Sequence, residues 1–214
     1  MESKFISTPS GKFYAQVAGA GEPSTGSGRG VVLLIHGYSP AFNSWRTWQK
    51  NIAALAERHG VYALDLLGYG ESDKPEPHPD AAFEARALIE LMDAEKIARA
   101  VLIGLSWGGG IAQRIAATVR ERVVKLVLVD STSDPASLGK LDKQKIPTLI
   151  TWDEEDAVIP VENAHALARA VPHARLRIFT RAERDPDANP DNRHWSQETH
   201  ARAWNRAVTE FLKE

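Results

Sequence analysis

The sequence of 214 residues contains no cysteine. This absence excludes disulfide bonds, thiol nucleophiles and metal sites with cysteine ligands. No apolar run approaches the roughly 18 residues that a membrane-spanning helix needs, and the N-terminal segment lacks the apolar stretch of a secretory signal peptide. We therefore expect a cytoplasmic protein that does not bind membranes.

A strong net charge is absent too. The formal charge is −2 although 25% of the residues are charged, so the sequence has no basic footprint for nucleic acid. Hydrophobic residues make up 43% of the chain, which at this length is enough for one globular core. We predict a single domain over residues 1–214, with a small molecule as its partner. The sequence does not indicate an oligomeric state.

Short apolar runs alternate with stretches that favour helices along most of the chain. Val31–Ile35 is apolar throughout, which is typical of a strand buried on both faces of a parallel sheet. This alternation predicts an α/β fold with a mostly parallel central sheet, helices on both faces and right-handed crossovers. Strands are predicted at 4–7, 12–17, 31–35, 61–64, 100–103, 123–129, 147–151 and 175–179, helices at 45–58, 81–95, 111–117, 161–170 and 197–212, and a Gly- and Ser-rich loop at 19–30.

The pentapeptide Gly-Leu-Ser-Trp-Gly at 104–108 directly follows the apolar run 100–103 and precedes a helix-like stretch. A serine on such a tight turn projects its hydroxyl away from the sheet, and the flanking glycines allow close backbone approach. The helix that begins there adds free N–H groups and the positive end of its dipole. Ser106 is thus a candidate nucleophile, and the alternative is an ordinary turn serine.

Other suggestive residues follow the neighbouring strands, where the carboxyl ends of an open parallel sheet gather its sites. Residues 36–39 read His-Gly-Tyr-Ser, and residues 65–72 read Asp-Leu-Leu-Gly-Tyr-Gly-Glu-Ser. The strand at 147–151 leads into Trp-Asp-Glu-Glu-Asp-Ala-Val-Ile-Pro, and His194 stands just before the last predicted helix.

These motifs, in this order, resemble those of the α/β-hydrolase family, and the chain is similar to a small carboxylesterase without the cap (lid) domain. The resemblance runs from about Lys12 to the C-terminus. It implies that Ser106 attacks an acyl carbonyl, that His194 takes the serine proton, and that Asp156 orients the imidazole. It also implies an oxyanion hole formed by the backbone N–H groups of Tyr38 and Trp107, and a reaction without cofactor or metal.

Alternatives remain for several of these roles. Asp130, at the end of the predicted strand 123–129, competes with Asp156 as the acid, and Asp156 can instead be an N-cap or loop residue. His200 competes with His194, although it falls inside the predicted last helix. His36 is interpreted as a structural residue that supports the turn presenting Tyr38, and Trp107 as a wall of the acyl pocket or a packing residue of the turn.

The first departure from the family pattern is the span 131–145, where many relatives insert a helical cap. Here it is a short polar stretch, which we predict to be a loop. We therefore expect an open, shallow site with broad specificity for short to medium acyl esters.

The second departure is the stretch 181–193, which is longer and more charged than the turn expected before the catalytic histidine. Arg193 stands where relatives have glycine, and so does Asp153 in the acid loop. The residues Asp185, Asp187, Asn189 and Asp191 alternate as in an EF-hand calcium loop. However, Pro190 replaces the required glycine and Ser196 the bidentate glutamate, which favours a solvated loop that partly replaces the cap over a calcium site.

The leading prediction is a serine hydrolase that cleaves carboxylic esters through an acyl-serine intermediate. The same triad also serves other acyl transfer, amide and carbon–carbon bond hydrolysis, and perhydrolysis. Haloalkane dehalogenase and epoxide hydrolase chemistry is disfavoured because those reactions use a carboxylate where this chain has Ser106. The alternative of another class is a non-catalytic relative that binds a ligand or a protein.

Overall fold

The computed structural model describes residues 1–19, 30–39 and 42–214. The predicted loop at 19–30 therefore lies almost wholly outside the described residues. Among the described residues, no helix combines the length and the apolar character that a membrane crossing requires.

The described strands form one sheet in the order β1-β2-β4-β3-β5-β6-β7-β8. β2 pairs antiparallel with both of its neighbours, β1 and β4, and the six strands from β3 to β8 run parallel to one another. This topology confirms the predicted mostly parallel sheet. The bounds are Glu2–Thr8 (β1), Gly11–Ala18 (β2), Val31–Ile35 (β3), Gly60–Leu64 (β4), Ala100–Leu105 (β5), Val123–Val129 (β6), Thr148–Asp153 (β7) and Arg175–Phe179 (β8).

Helices cover both faces of the sheet because successive side chains of a strand point to opposite faces. Leu33 belongs to the core under α3, α4, α5 and α6, whereas Leu34 belongs to the core under α1, α2 and α8. The strands β3, β4 and β5 are buried along their whole length, which explains their uniformly apolar sequences. The helices are Ser44–Trp48 (α1), Ile52–Ala56 (α2), Ala81–Ala94 (α3), Trp107–Thr118 (α4), Pro135–Gln144 (α5), Glu162–Ala170 (α6), Ser196–Thr199 (α7) and Ala201–Lys213 (α8).

Two predicted helices are each divided in the structure. The helix predicted at 45–58 breaks between α1 and α2, where the buried Asn51 side chain donates to Gln197 O at 2.8 Å and to Asn205 Oδ1 at 2.9 Å. The helix predicted at 197–212 breaks at the buried His200, whose Nε2 donates to Thr180 O at 3.1 Å. In both places a buried polar side chain satisfies a distant partner, an interaction that local periodicity does not record.

The prediction of a loop at 131–145 is wrong, because this segment contains the helix α5. The helix starts with Pro135, whose missing N–H costs nothing in a first turn. Leu141 is buried in the same core as α4 and α6. The connection between β6 and β7 is therefore packed onto the helical layer of the domain.

Candidate active site

Ser106 lies at the sharp turn between β5 and α4, with φ 53° and ψ −121°. A non-glycine residue in this region costs about 1–3 kcal/mol and needs support from its surroundings. The support comes from backbone hydrogen bonds: Ser106 N donates to Val129 O at 2.8 Å, and Ser106 O accepts from Gly109 N at 2.9 Å and from Thr132 N at 3.0 Å. Because all three bonds use the main chain, the hydroxyl takes no part in holding the turn.

Two glycines let the end of β3 approach this turn closely. A Cβ added at Gly108 would lie 2.4 Å from His36 O, and one added at Gly37 would lie 3.0 Å from the Cβ of Ser106. The first distance is shorter than any real Cβ contact, and the second is tighter than most of them. The glycines therefore bring the segment around Gly37 and Tyr38 directly beside the serine.

His194 and Asp156 form a buried hydrogen-bonded pair. His194 Nδ1 lies 2.8 Å from Asp156 Oδ2, with the two side chains 9% and 0% exposed. The other carboxylate oxygen of Asp156 accepts from Val158 N and Ile159 N, each at 2.8 Å. In the neutral form of the ring, this contact places the proton on Nδ1. Nε2 is buried without a hydrogen-bond partner among the described residues and is available as a base.

The backbone amides of Tyr38 and Trp107 are the oxyanion donors that the sequence predicted. Trp107 is the first residue of α4, whose initial N–H groups have no partner within the helix. Within the described residues, neither amide donates to a backbone carbonyl. Trp107 directly follows Ser106 in the chain, and Tyr38 follows Gly37, whose backbone approaches the Cβ of Ser106, so both amides lie near the serine.

The side chain of His36 supports the turn that presents Tyr38. Its Nδ1 donates to Gly37 O at 2.8 Å, and its Nε2 accepts from Leu66 N at 3.0 Å. Burial lowers the pKa of His36, which favours the neutral ring that these two bonds require. The hydrogen bonds confirm the structural interpretation of His36.

A cleft of about 600 Å³ joins Ser106 and His194. The ring of Tyr38 flanks the cleft. Its centre lies 5.6 Å from the ring centre of Trp107 and 6.2 Å from that of Tyr69. Tyr38 is 62% exposed. The residues that line the cleft are Tyr38, Phe42, Arg46, Gln49, Ser106, Ala157, Val158, Asn189, Asp191, Asn192, Arg193, His194, Trp195 and Glu198.

The alternative acid, Asp130, is buried but makes a different set of contacts. Its two carboxylate oxygens accept from Asp153 N at 3.0 Å and from Ser196 N at 2.7 Å. Burial, aided by the charge of Asp156, raises the pKa of Asp130 to about 7. The structure thus has Asp130 linking two backbone segments, while Asp156 contacts His194. The alternative base His200 is occupied by Thr180 O.

The segment 181–193 is exposed at most of its positions, as predicted for a solvated loop, but it is also anchored at Asp185. Asp185 is 7% exposed and accepts from Arg202 N at 3.2 Å, and Asp187 lies 3.9 Å from Lys50 Nζ. In the part of the chain that the structure describes, no group of three or more His, Asp or Glu side chains is arranged to hold a metal ion. The end of the segment lines the cleft, so it forms one wall of the site.

Glu84 is a buried carboxyl group that the sequence analysis missed. It is fully buried in the first turn of α3, and neither of its oxygens has a hydrogen-bond partner among the described residues. Burial raises the pKa of Glu84 to about 8. Burial, followed by smaller contributions from Tyr38 and Glu84, also raises the pKa of Tyr69, whose ring centre lies 6.3 Å from that of Trp107. A glutamate in the first turn of a helix is common, and the sequence does not show which face of the helix is buried. No sequence signal therefore marked Glu84 as unusual.

We expect Glu84→Gln to be more stable than the wild type at pH 8 and similar to it at pH 4. Because the folded-state pKa is raised, the folded protein holds a proton that the unfolded chain has lost between about pH 4.5 and 8, and wild-type stability falls across this window. The amide does not titrate, so the stability difference should grow to the order of a few kcal/mol. Urea unfolding at several pH values measures it.

The exposed Glu57→Gln change is the control for this experiment, since it removes one carboxyl group without altering the core. Its stability should follow the wild type at every pH. Parallel curves for Glu84→Gln and the wild type would contradict the assignment of a neutral Glu84.

Comparison with known proteins gives a consistent family likeness. The family model of the alpha/beta hydrolase fold matches residues 30–144. Over 110 residues, the chain is 37% identical to 2-hydroxymuconate semialdehyde hydrolase of Pseudomonas sp. strain CF600. This region covers 49% of this chain and 38% of that enzyme. The match therefore spans well under half the length of this relative.

A second relative matches over a longer region. The chain is 26% identical to 2-hydroxy-6-oxononadienedioate/2-hydroxy-6-oxononatrienedioate hydrolase of Burkholderia vietnamiensis over 266 aligned positions, covering 88% of this chain and 89% of that enzyme. Among solved structures, a meta-cleavage product hydrolase from Pseudomonas fluorescens superimposes with a TM-score of 0.84 at 21% identity, covering 98% of this chain and 97% of that one. At this identity the structural likeness shows a common fold.

Proposed function

Because the chain belongs to the alpha/beta hydrolase fold family, we propose that it is a serine hydrolase that cleaves carboxylic esters through an acyl-Ser106 intermediate. The observation that carries the proposal is the Asp156–His194 pair, whose free Nε2 belongs to the same cleft as Ser106. A base oriented by a buried carboxylate, beside a serine on a strained turn, is the arrangement that nucleophilic acyl transfer requires.

In the proposed reaction, Ser106 Oγ attacks the ester carbonyl while His194 Nε2 takes its proton. The N–H groups of Tyr38 and Trp107 stabilise the negative charge that develops on the carbonyl oxygen. Collapse of the intermediate releases the alcohol, which leaves with the proton from His194, and the acyl group stays on Ser106. Water, activated by the same imidazole, then releases the carboxylic acid and regenerates the serine.

The open cleft favours short to medium acyl esters with little demand on the alcohol. Its rim carries two exposed apolar side chains, Tyr38 and Val158, which are 62% and 67% exposed. Such side chains offer apolar surface to an acyl chain or an aromatic alcohol without enclosing it. We therefore expect modest affinity and broad tolerance of chain length.

The test is hydrolysis of p-nitrophenyl acetate, butyrate and octanoate, combined with labelling by a fluorophosphonate. We expect turnover of the shorter esters, an initial burst of p-nitrophenol, and one covalent adduct that mass spectrometry locates at Ser106. The control is Ser133→Ala, which changes an exposed serine between β6 and α5 and should keep the wild-type rate. Absence of both turnover and labelling would overturn the proposal and favour a binding protein.

A second candidate is hydrolysis of a carbon–carbon bond next to a ketone. Two relatives carry such substrates in their names, and Arg46 and Arg193, both exposed and lining the cleft, could pair with a substrate carboxylate. A labelled Ser106 without ester turnover, together with cleavage of a 2-hydroxy-6-oxo dienoate, would favour this candidate over ester hydrolysis.

A further inference from the structure

The acid loop and the segment before His194 both depart from the family pattern, and the two departures meet in one contact. Arg184 Nη2 lies 3.3 Å from Asp153 Oδ2, with the side chains 16% and 1% exposed. Asp153 ends β7, three residues before Asp156. Arg184 belongs to the long segment 181–193. The unusual carboxylate and the unusual loop therefore compensate for each other.

The guanidinium of Arg184 also holds the backbone that leads to His194. Nη2 donates to Asn192 O at 2.9 Å, and Nη1 donates to Pro190 O at 3.2 Å. One planar group thus connects the acid loop with two carbonyls just ahead of the histidine. Lysine has a single nitrogen and cannot reproduce this fork.

The same two segments are joined at two further points. Ala157 N donates to Arg193 O at 3.0 Å, and Asp130 bridges Asp153 N and Ser196 N through its two oxygens. Arg184 is largely shielded from water as well, since its side chain is 16% exposed and its Nε is buried. Its removal would leave Asp153 as a buried charge without its cation.

We propose that Arg184, paired with Asp153, is a positioning residue that keeps His194 Nδ1 within hydrogen-bond distance of Asp156. The inference rests on the proposed function, since it concerns the geometry of the same pair. A displacement of about 1 Å at a catalytic group can cost about 10²-fold in rate. Loss of these contacts should therefore lower kcat more than it changes KM, because Arg184 itself does not line the cleft.

The experiment compares Arg184→Gln, Arg184→Lys, Asp153→Asn and the double variant Asp153→Asn/Arg184→Gln with the wild type. The rate is expressed per active site titrated with a fluorophosphonate, so that unfolded protein does not enter it. We expect Arg184→Gln to lower kcat about 10²-fold, Arg184→Lys to lower it less, and the double variant to be no worse than the single ones because both act through one link. The acid limb of the kcat/KM profile should also move to lower pH, since a looser contact with Asp156 stabilises the imidazolium less.

Arg181→Gln is the matched control. Arg181 has the same charge, lies in the same segment and approaches Glu155 at 3.8 Å, but its side chain is 81% exposed. It should keep the wild-type kcat and pH profile.

Wild-type kcat per titrated site in both Arg184 variants would overturn the proposal, even if their melting temperatures fall. If Arg184→Gln does not fold, the Lys variant and its pH profile decide the question. A wild type that neither turns over esters nor reacts with the fluorophosphonate would instead contradict the proposed function, so the two failures are distinguishable.

Discussion

Replacing Ser106 by alanine is expected to lower kcat/KM for p-nitrophenyl butyrate by about three orders of magnitude or more. Alanine removes the nucleophilic oxygen and little else, because the turn is held by backbone bonds to Val129, Gly109 and Thr132. The variant should therefore fold and melt close to the wild type, and the residual rate should reflect binding and the oxyanion donors alone.

The measurement is steady-state kinetics of wild type, Ser106→Ala and Ser133→Ala, prepared side by side. Ser106→Ala should also lose the fluorophosphonate adduct, whereas Ser133→Ala should retain it. Equal activity of Ser106→Ala and wild type would show that the hydroxyl is not the nucleophile, and the proposed mechanism would then be wrong.

The second large effect is expected for Asp156→Asn, which should lower kcat by about 10⁴-fold, the scale known for a triad carboxylate replaced by its amide. Asparagine can keep its oxygen on Val158 N and Ile159 N, so the loop stays in place. Its NH₂ group then faces His194 Nδ1, which must accept a hydrogen bond. The ring proton moves to Nε2, and the base that is proposed to take the Ser106 proton is lost.

Asp130→Asn is the informative comparison for this prediction. Its oxygens bind backbone N–H groups of Asp153 and Ser196, so we expect a smaller loss of kcat together with a lower stability. If Asp130→Asn lost more activity per titrated site than Asp156→Asn, the assignment of the acid would have to be reversed. Thermal melts of both variants separate the loss of stability from the loss of chemistry.

Much of the fold followed from the sequence alone. Strands buried on both faces have to be apolar at every position, so runs such as Val31–Ile35 are recognisable without tertiary information. The turn at Ser106 was equally local, because the glycines around it are required by the close approach of β3 to α4. The resemblance to the α/β-hydrolase family then named Asp156 and His194 as candidates, with Asp130 and His200 as alternatives.

The tertiary structure decided the points that depend on distant partners. Two aspartates, Asp130 and Asp156, both follow parallel strands, and only the 2.8 Å contact with His194 distinguishes them. The helix breaks at Asn51 and His200 serve hydrogen bonds to remote residues, which helical periodicity cannot reveal.

The same reason explains why the charged segment 181–193 could not be interpreted from sequence. Read locally, Arg184 is one of many polar residues in a solvated loop, and Asp153 is one of several acids in a turn. Their pairing across 31 positions leaves Asp153 buried and Arg184 largely covered, and it links the two loops of the site. Local pattern therefore determined the strands, most of the helices and the place of the nucleophile, whereas long-range burial of charge determined how the acid and the base are held together.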